Sequence, residues 1–269
     1  MAEGDKHDHG RLLIVAGSRS LPGSALLCAL AAMRAGAGKL QIATVESVAV
    51  QIGVAMPESR TIGMPESKDG SFAQAAVAKI AKVADDVDAV VAGPGMFATS
   101  AGEGIAAALL RTDRALALDA GVLRSMPNSG IARTAGNLPV LLPHSGELAA
   151  LLGCSETAVE ADPLGCGKIC AQRYGAVTLV KGTVSHIVHP DGRTWTYRGG
   201  APGLGVSGSG DTLAGIVGAL LARGAEPLAA LLWSVLLHGE AGEELSSKVG
   251  PVGFLAREIP DEIPALLAR

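Results

Sequence analysis

Aromatic side chains are scarce in this chain. Three Phe, two Trp and two Tyr make up 3% of 269 residues, while hydrophobic residues overall reach 48%. Alanine and 36 glycines supply much of the bulk, which favours close helix–sheet packing and tight turns over an aromatic-rich binding face. Cysteine is sparse as well: Cys28, Cys154, Cys166 and Cys170 form no CxxC pair. Buried, reduced thiols in a cytoplasmic protein are expected. No apolar run, 213–222 included, approaches the roughly 20 residues of a spanning helix, so no membrane association is expected. Basic charge is not in excess, with 22 Lys+Arg against 26 Asp+Glu and a formal net charge of −4. That removes the electrostatic footprint of a nucleic-acid binder. Residues 1–10 are polar and lack an apolar signal core. A disordered tail is expected there, and Asp5, His7, Asp8 and His9 are not expected to hold a metal. Two nucleotide motifs are also missing: there is no GxxxxGK[ST] loop, and no GxGxxG after the first strand. Any nucleotide must be held another way.

What is present is a rhythm. Short apolar runs at 12–16, 40–44, 89–92, 116–119, 140–143 and 177–181 do not alternate with polar residues, as expected of strands buried on both faces of a parallel sheet. Helical patterns at 24–35, 71–84, 102–111 and 163–174 lie between them, and this βα order predicts a doubly wound α/β architecture. Residues 184–189 and 193–197 flank the turn signal Pro190-Asp191-Gly192, which predicts a hairpin at a sheet edge. Gly and Pro never cluster into a linker, so a tail over 1–10 and one domain over 11–269 are expected.

The most informative segment is Gly208-Ser209-Gly210-Asp211, which opens the apolar helical run 212–221. A glycine-rich turn into a helix aims free N–H groups and the positive dipole end at one point, an anion site. Asp211 would repel a phosphate there unless a metal intervenes or the acid serves as a base. A phosphate cradle with one carboxylate suits activation of a hydroxyl toward a phosphoryl group. The alternative is a first-turn acid that only stabilises the helix start. Ligands of open α/β sheets bind beyond the carboxyl ends of the strands. Small and polar residues gather at that rim: 17–24, Gly93-Pro94-Gly95, Asp119-Ala120-Gly121, Pro143-His144-Ser145-Gly146-Glu147 and Lys181-Gly182-Thr183. Lys181, at the end of a buried strand, needs an anionic partner, either phosphate or a structural carboxylate. Glu147 reads as a first-turn acid or as an indirect, water-mediated Mg2+ contact. His238 is expected as a packed core or interface residue.

Together these segments resemble the ADP- or ATP-dependent NAD(P)H-hydrate dehydratase family of the ribokinase-like superfamily, from about Leu12 to near Leu255. Its carriers are Pro22-Gly23-Ser24-Ala25, Met33-Arg34-Ala35-Gly36-Ala37-Gly38, Gly93-Pro94-Gly95-Met96 and Leu118-Asp119-Ala120-Gly121. Pro143-His144-Ser145-Gly146-Glu147-Leu148, Lys181-Gly182-Thr183, Gly208 to Gly215 and Leu237-His238-Gly239 complete them.

The resemblance implies a ribokinase-like three-layer α/β/α sandwich with a mostly parallel central sheet. It implies repair of the S epimer of NADH or NADPH hydrated at C6, by phosphorylation of the C6 hydroxyl and elimination of phosphate. Asp211 would be the base, and Gly208, Ser209 and Gly210 the phosphoryl cradle. Lys181, Gly182, Thr183, Val184 and Ser185 would hold the adenine nucleotide, ADP or ATP. Ser24, Ala25, Gly95, His144 and Asp211 would meet the hydrated cofactor, with Mg2+ as cofactor and Glu147 reaching it through water. A homotetramer working with a separate epimerase is implied too.

Three positions depart from the family pattern. Ser145 replaces a proline. Ser207 replaces a glycine, raising the expectation of a strained left-handed serine there. Ser24 stands where alanine is common. The competing readings are a ribokinase-like small-molecule kinase, acting on a vitamin precursor or sugar, and a catalytically inactive nucleotide-binding relative.

Overall fold

The computed structural model describes residues 10–127 and 138–269; the expected tail, Gly10 apart, lies outside the described residues. In chain order the first half runs β1 (Arg11–Val15), α1 (Gly23–Arg34), β2 (Lys39–Val45), α2 (Glu46–Ala55), β3 (Ser59–Met64), α3 (Ala76–Ala84), β4 (Ala89–Ala92), α4 (Ser100–Leu109), β5 (Ala115–Leu118) and α5 (Ala120–Arg124). The second half runs β6 (Val140–Leu141), α6 (Ser145–Leu152), α7 (Glu156–Ala161), α8 (Pro163–Tyr174), β7 (Val177–Val180), β8 (Ser185–Val188), β9 (Thr194–Tyr197), α9 (Ser209–Ala222), α10 (Pro227–Lys248) and α11 (Ile259–Leu267).

The nine described strands form one sheet in the order β3-β2-β1-β4-β5-β6-β7-β8-β9. Pairing is parallel from β3 to β7 and antiparallel for β8 and β9. The expected edge hairpin is therefore present, closed where the Gly192 amide donates to the His189 carbonyl and the His189 amide to the Arg193 carbonyl. Successive strand residues serve opposite layers, since a strand's side chains alternate between faces. Leu12 and Ile14 join one core with α1, α9, α10 and α11, whereas Leu13 and Val15 join the other with α3, α4, α5, α6 and α8. Both faces are covered, so the strands carry apolar residues at consecutive positions.

α9 lies at the centre of its layer. Eleven of its 14 residues are buried, too many for an amphipathic surface helix. Two glycines permit that depth: a Cβ on Gly215 would stand 2.2 Å from the Cys28 carbonyl oxygen, and one on Gly218 2.3 Å from Val91. Pressed onto α1 and β4, α9 brings its N-terminus to the carboxyl ends of the strands.

The sequence expectations need two adjustments here. The helix expected over 71–84 starts only at Ala76, because Ser71 is held in a turn whose N–H is bonded by Ser67 Oγ and Asp69. β3 is an edge strand that the periodicity does not reveal, since Arg60 and Gly63 are exposed and only Met64 is buried. All four cysteines are free; Cys28 and Cys170 are buried as expected, whereas Cys154 is exposed and Cys166 half-buried. Among the described residues no helix is long and apolar enough to cross a membrane.

Candidate active site

The parallel pairing of β5, β6 and β7 sets the carboxyl ends of three strands side by side, and the site grows from them. β5 runs into Asp119, β6 into Pro143 and His144, and β7 into Lys181. The Lys181 amide donates to the Pro143 carbonyl at 2.9 Å, and a parallel bridge joins His144 to Lys181. Lys181 Nζ then reaches Asp119 Oδ1 at 2.7 Å and Glu147 Oε2 at 3.8 Å. Burial works against the Lys181 charge, but Asp119 and Glu147 outweigh it and hold the ammonium above its ordinary range. Of the two partners left open for Lys181, the structure supplies the carboxylate, and Asp119 is 2% exposed. Sequence reasoning placed Asp119 at the rim but gave it no role. Its signal was an acid ending an apolar strand.

His144 and Glu147 form a capping box on α6. The Gly146 amide donates to His144 Nδ1 at 3.0 Å, and the His144 amide to Glu147 Oε2 at 3.0 Å. Because Nδ1 accepts, Nε2 carries the proton of the neutral ring and lies 3.3 Å from Glu147 Oε1. Burial raises the cost of the Glu147 charge, yet His144 and Lys181 hold its carboxyl below the usual range. Glu147 is thus a helix-capping acid in an ion-pair network. Ser145, at the position of a usual proline, donates from Oγ to Glu156 at 2.9 Å.

Asp211 sits in the first turn of α9, behind Gly208 in the left-handed conformation at φ 90. A side chain at 208 would also have to displace Leu27, whose Cδ1 would stand 2.4 Å from a Cβ there. Among the described residues Ala120 is the one non-glycine at positive φ. Ser207 therefore bears no left-handed strain, contrary to the sequence expectation: Gly208 takes the special conformation. The Ser209 amide donates to the Val206 carbonyl at 3.2 Å. Gly210 and Asp211 follow in the first turn, where an α-helix offers its amides no internal acceptor. Gly210 also lies close to the ion pair, since a Cβ there would be 3.6 Å from Lys181 Nζ.

Burial is the main force pushing the Asp211 carboxyl up to about 6; a Ser24 hydrogen bond opposes it, Asp119 and Glu147 add to it, and Lys181 counters. That places a base close to neutral pH, where proton abstraction is efficient. Ser24, which opens α1, thus touches Asp211. Gly95 packs against it at φ 65, and a Cβ on Gly95 would stand 2.6 Å from that of Ser24. Ala25 is wholly buried beneath the loop. On the opposite flank of Lys181, Gly182 and Thr183 are exposed, with Val184 and Ser185 half-buried.

Among the described residues the carboxylates Asp119, Glu147 and Asp211 face a single ammonium, which leaves two negative charges in surplus. That excess suits a bound cation. Among the described residues no group of three or more His, Cys, Asp or Glu side chains is placed to hold a metal ion. The arrangement can bind an anion at α9, hold it beside Lys181 and take a proton at Asp211.

The family model for NAD(P)H-hydrate dehydratase matches residues 12–265. This chain belongs to that family. An ADP-dependent (S)-NAD(P)H-hydrate dehydratase of Xanthomonas campestris pv. campestris is 46% identical over 99% of the chain and 91% of its own length. A bifunctional NAD(P)H-hydrate repair enzyme Nnr of Moorella thermoacetica is 33% identical, and the chain spans 51% of it. Among solved structures, the ADP/ATP-dependent NAD(P)H-hydrate dehydratase of Bacillus subtilis, co-crystallised with ATP and Mg2+, is 30% identical. It superposes with a TM-score of 0.87 over 100% of this chain and 92% of its own. The ribokinase-like three-layer sandwich expected from the sequence is the fold of this dehydratase family.

Proposed function

We propose that this chain returns the S epimer of hydrated NADH or NADPH to the reduced cofactor, with ADP or ATP as phosphoryl donor. The observation that carries this reading is the position of Asp211, a base tuned near 6. Ser24 lies on one side of it, and Gly210 with Lys181 on the other. Asp211 takes the proton of the C6 hydroxyl as its oxygen attacks the terminal phosphorus of the nucleotide. The P–O bond to the leaving nucleotide breaks, and the first-turn amides of α9 stabilise the transferring charge. Phosphate, a far better leaving group than hydroxide, then departs from C6. A proton leaves the neighbouring ring carbon and the double bond returns.

In this reading Ser24, Ala25, Gly95 and His144 shape the cofactor side. Lys181, Gly182, Thr183, Val184 and Ser185, with Gly208, Ser209 and Gly210, hold the nucleotide. Mg2+ would neutralise nucleotide phosphates, held through water by Glu147 and Asp119; their surplus charge supports it. One domain spanning 11–269 carries both sides of the site. A cytoplasmic homotetramer that works with an NAD(P)H-hydrate epimerase completes the proposal, and a relative named as a bifunctional NAD(P)H-hydrate repair enzyme supports that pairing of activities.

The test is absorbance at 340 nm with purified protein, S-epimer NADH hydrate, Mg2+ and ADP or ATP. A nucleotide-dependent rise that disappears in Asp211→Asn supports the proposal. A flat trace with the wild-type protein rejects it.

A further inference from the structure

We infer that His238 is a positioning residue: from α10 it fixes the direction of the Gly210 amide in the phosphoryl cradle by gripping Ser209. The inference builds on the reaction proposed above, but it needs only that the first turn of α9 receives a phosphoryl group.

His238 Nε2 lies 3.1 Å from both the carbonyl oxygen and the hydroxyl of Ser209. A carbonyl oxygen only accepts, so Nε2 carries the proton and Nδ1 is bare. Burial drives the imidazole down to about 4, opposed by the Ser209 bond and assisted by the Lys181 charge, so the ring stays neutral and keeps this tautomer. The same carbonyl takes a second side-chain donor, Thr212 Oγ1 at 2.7 Å. Both donors act on one peptide unit. The Ser209 carbonyl and the Gly210 N–H share a planar trans peptide and point in opposite directions. Holding the oxygen therefore aims the N–H.

The hold is needed because this peptide lies among glycines. Gly208 and Gly210 have the widest backbone freedom of any residues, and the first turn of a helix gives the Gly210 amide no internal acceptor. With Nε2 as donor, the Ser209 hydroxyl oxygen accepts, and its own hydrogen remains available to a phosphoryl oxygen. A cradle whose donors are oriented beforehand does not have to reorganise during transfer.

The experiment compares wild type with His238→Phe, His238→Asn and His238→Gln. Phe keeps the ring and loses the donor. Asn is too short to place a donor at the Nε2 position, and Gln can. Thermal midpoints establish that each variant is folded. The expected result for Phe and Asn is a kcat about tenfold or more below wild type, with KM for the hydrated cofactor within about twofold, and recovery of most of kcat in Gln. A wild-type kcat in folded Phe and Asn variants overturns the inference, as does a Gln variant no better than Phe at an equal thermal midpoint. If wild type shows no turnover, the proposed reaction fails separately, and calorimetric titration with ATP and Mg2+ still decides. Affinity lost in Phe and Asn and regained in Gln supports positioning. Equal affinity in all four proteins overturns it.

Discussion

Lys181 Nζ donates to Asp119 Oδ1 at 2.7 Å across 62 residues of sequence, and the two side chains are 19% and 2% exposed. Among the described residues the ammonium is the one cation beside three acids. Removing it leaves buried carboxylates uncompensated, a loss typically worth about 3–5 kcal/mol. Lys181→Met should therefore destabilise strongly. Asp119→Asn keeps an acceptor for Lys181 and removes one surplus charge, so it should cost less than half as much. Urea denaturation of both variants checks the order, and an Asn variant the less stable of the two contradicts it.

Asp211→Asn should abolish turnover and yet stabilise the free protein. The unfolded carboxyl ionises near 3.8 and the folded one near 6, so between those values the folded state holds more protons. Stability therefore falls as pH rises from 4 to 6, and the deficit is complete above 6. Roughly two pH units at ~1.4 kcal/mol each make about 3 kcal/mol at pH 7. The opposing Ser24 hydrogen bond is already contained in that net shift. A denaturation midpoint at pH 7 below that of wild type would count against a strained, charged Asp211.

The pH dependence of kcat/KM follows from the same carboxyl. With a base of pKa about 6, the rate should be flat near pH 7.5 and fall tenfold per unit at acid pH, bending near 6. Stopped-flow or steady-state rates between pH 5 and 8 measure the bend. A profile still flat at pH 5 excludes Asp211 as the titrating base.

Gly95→Ala forces a Cβ to within 2.6 Å of Ser24 and 2.8 Å of the Leu21 carbonyl, at φ 65. The left-handed conformation alone costs alanine roughly 1–2 kcal/mol. Displacement of Ser24 should raise KM for the hydrated cofactor about tenfold and leave nucleotide affinity unchanged. Titration with each ligand separately distinguishes this from general loss of fold, which would weaken both.

Ser207→Gly restores the glycine usual at that position of the family. Since Ser207 is not left-handed, no strain is relieved. Activity should stay within about twofold, and stability should drop by roughly 0.5–1 kcal/mol through added freedom of the unfolded chain. A large gain in kcat would mean that serine is a handicap there after all.

Much of this molecule was legible in its sequence. The unalternating runs of β1, β4, β5 and β7 marked strands buried on both faces, since only such strands need apolar residues at every position. Pro190-Asp191-Gly192 marked the edge hairpin. Gly208-Ser209-Gly210-Asp211 marked a glycine-led helix start with an acid in its first turn, because glycine permits the left-handed entry that such a turn uses. These features are local, and backbone geometry plus side-chain chemistry decide them within about ten residues.

The rest depended on distant pairing. Asp119 gained its role only when the order β5-β6-β7 set it beside Lys181, and His238 only when α10 packed against the start of α9. Glu147 met Lys181 only when β7 came to lie beside the start of α6. The left-handed residue proved to be Gly208, not Ser207, a choice between neighbours that residue type alone does not make. Residue type and spacing determined which groups could do this chemistry. Strand order and helix packing decided which of them meet, because a carboxylate takes its charge state and its partner from neighbours that are remote along the chain.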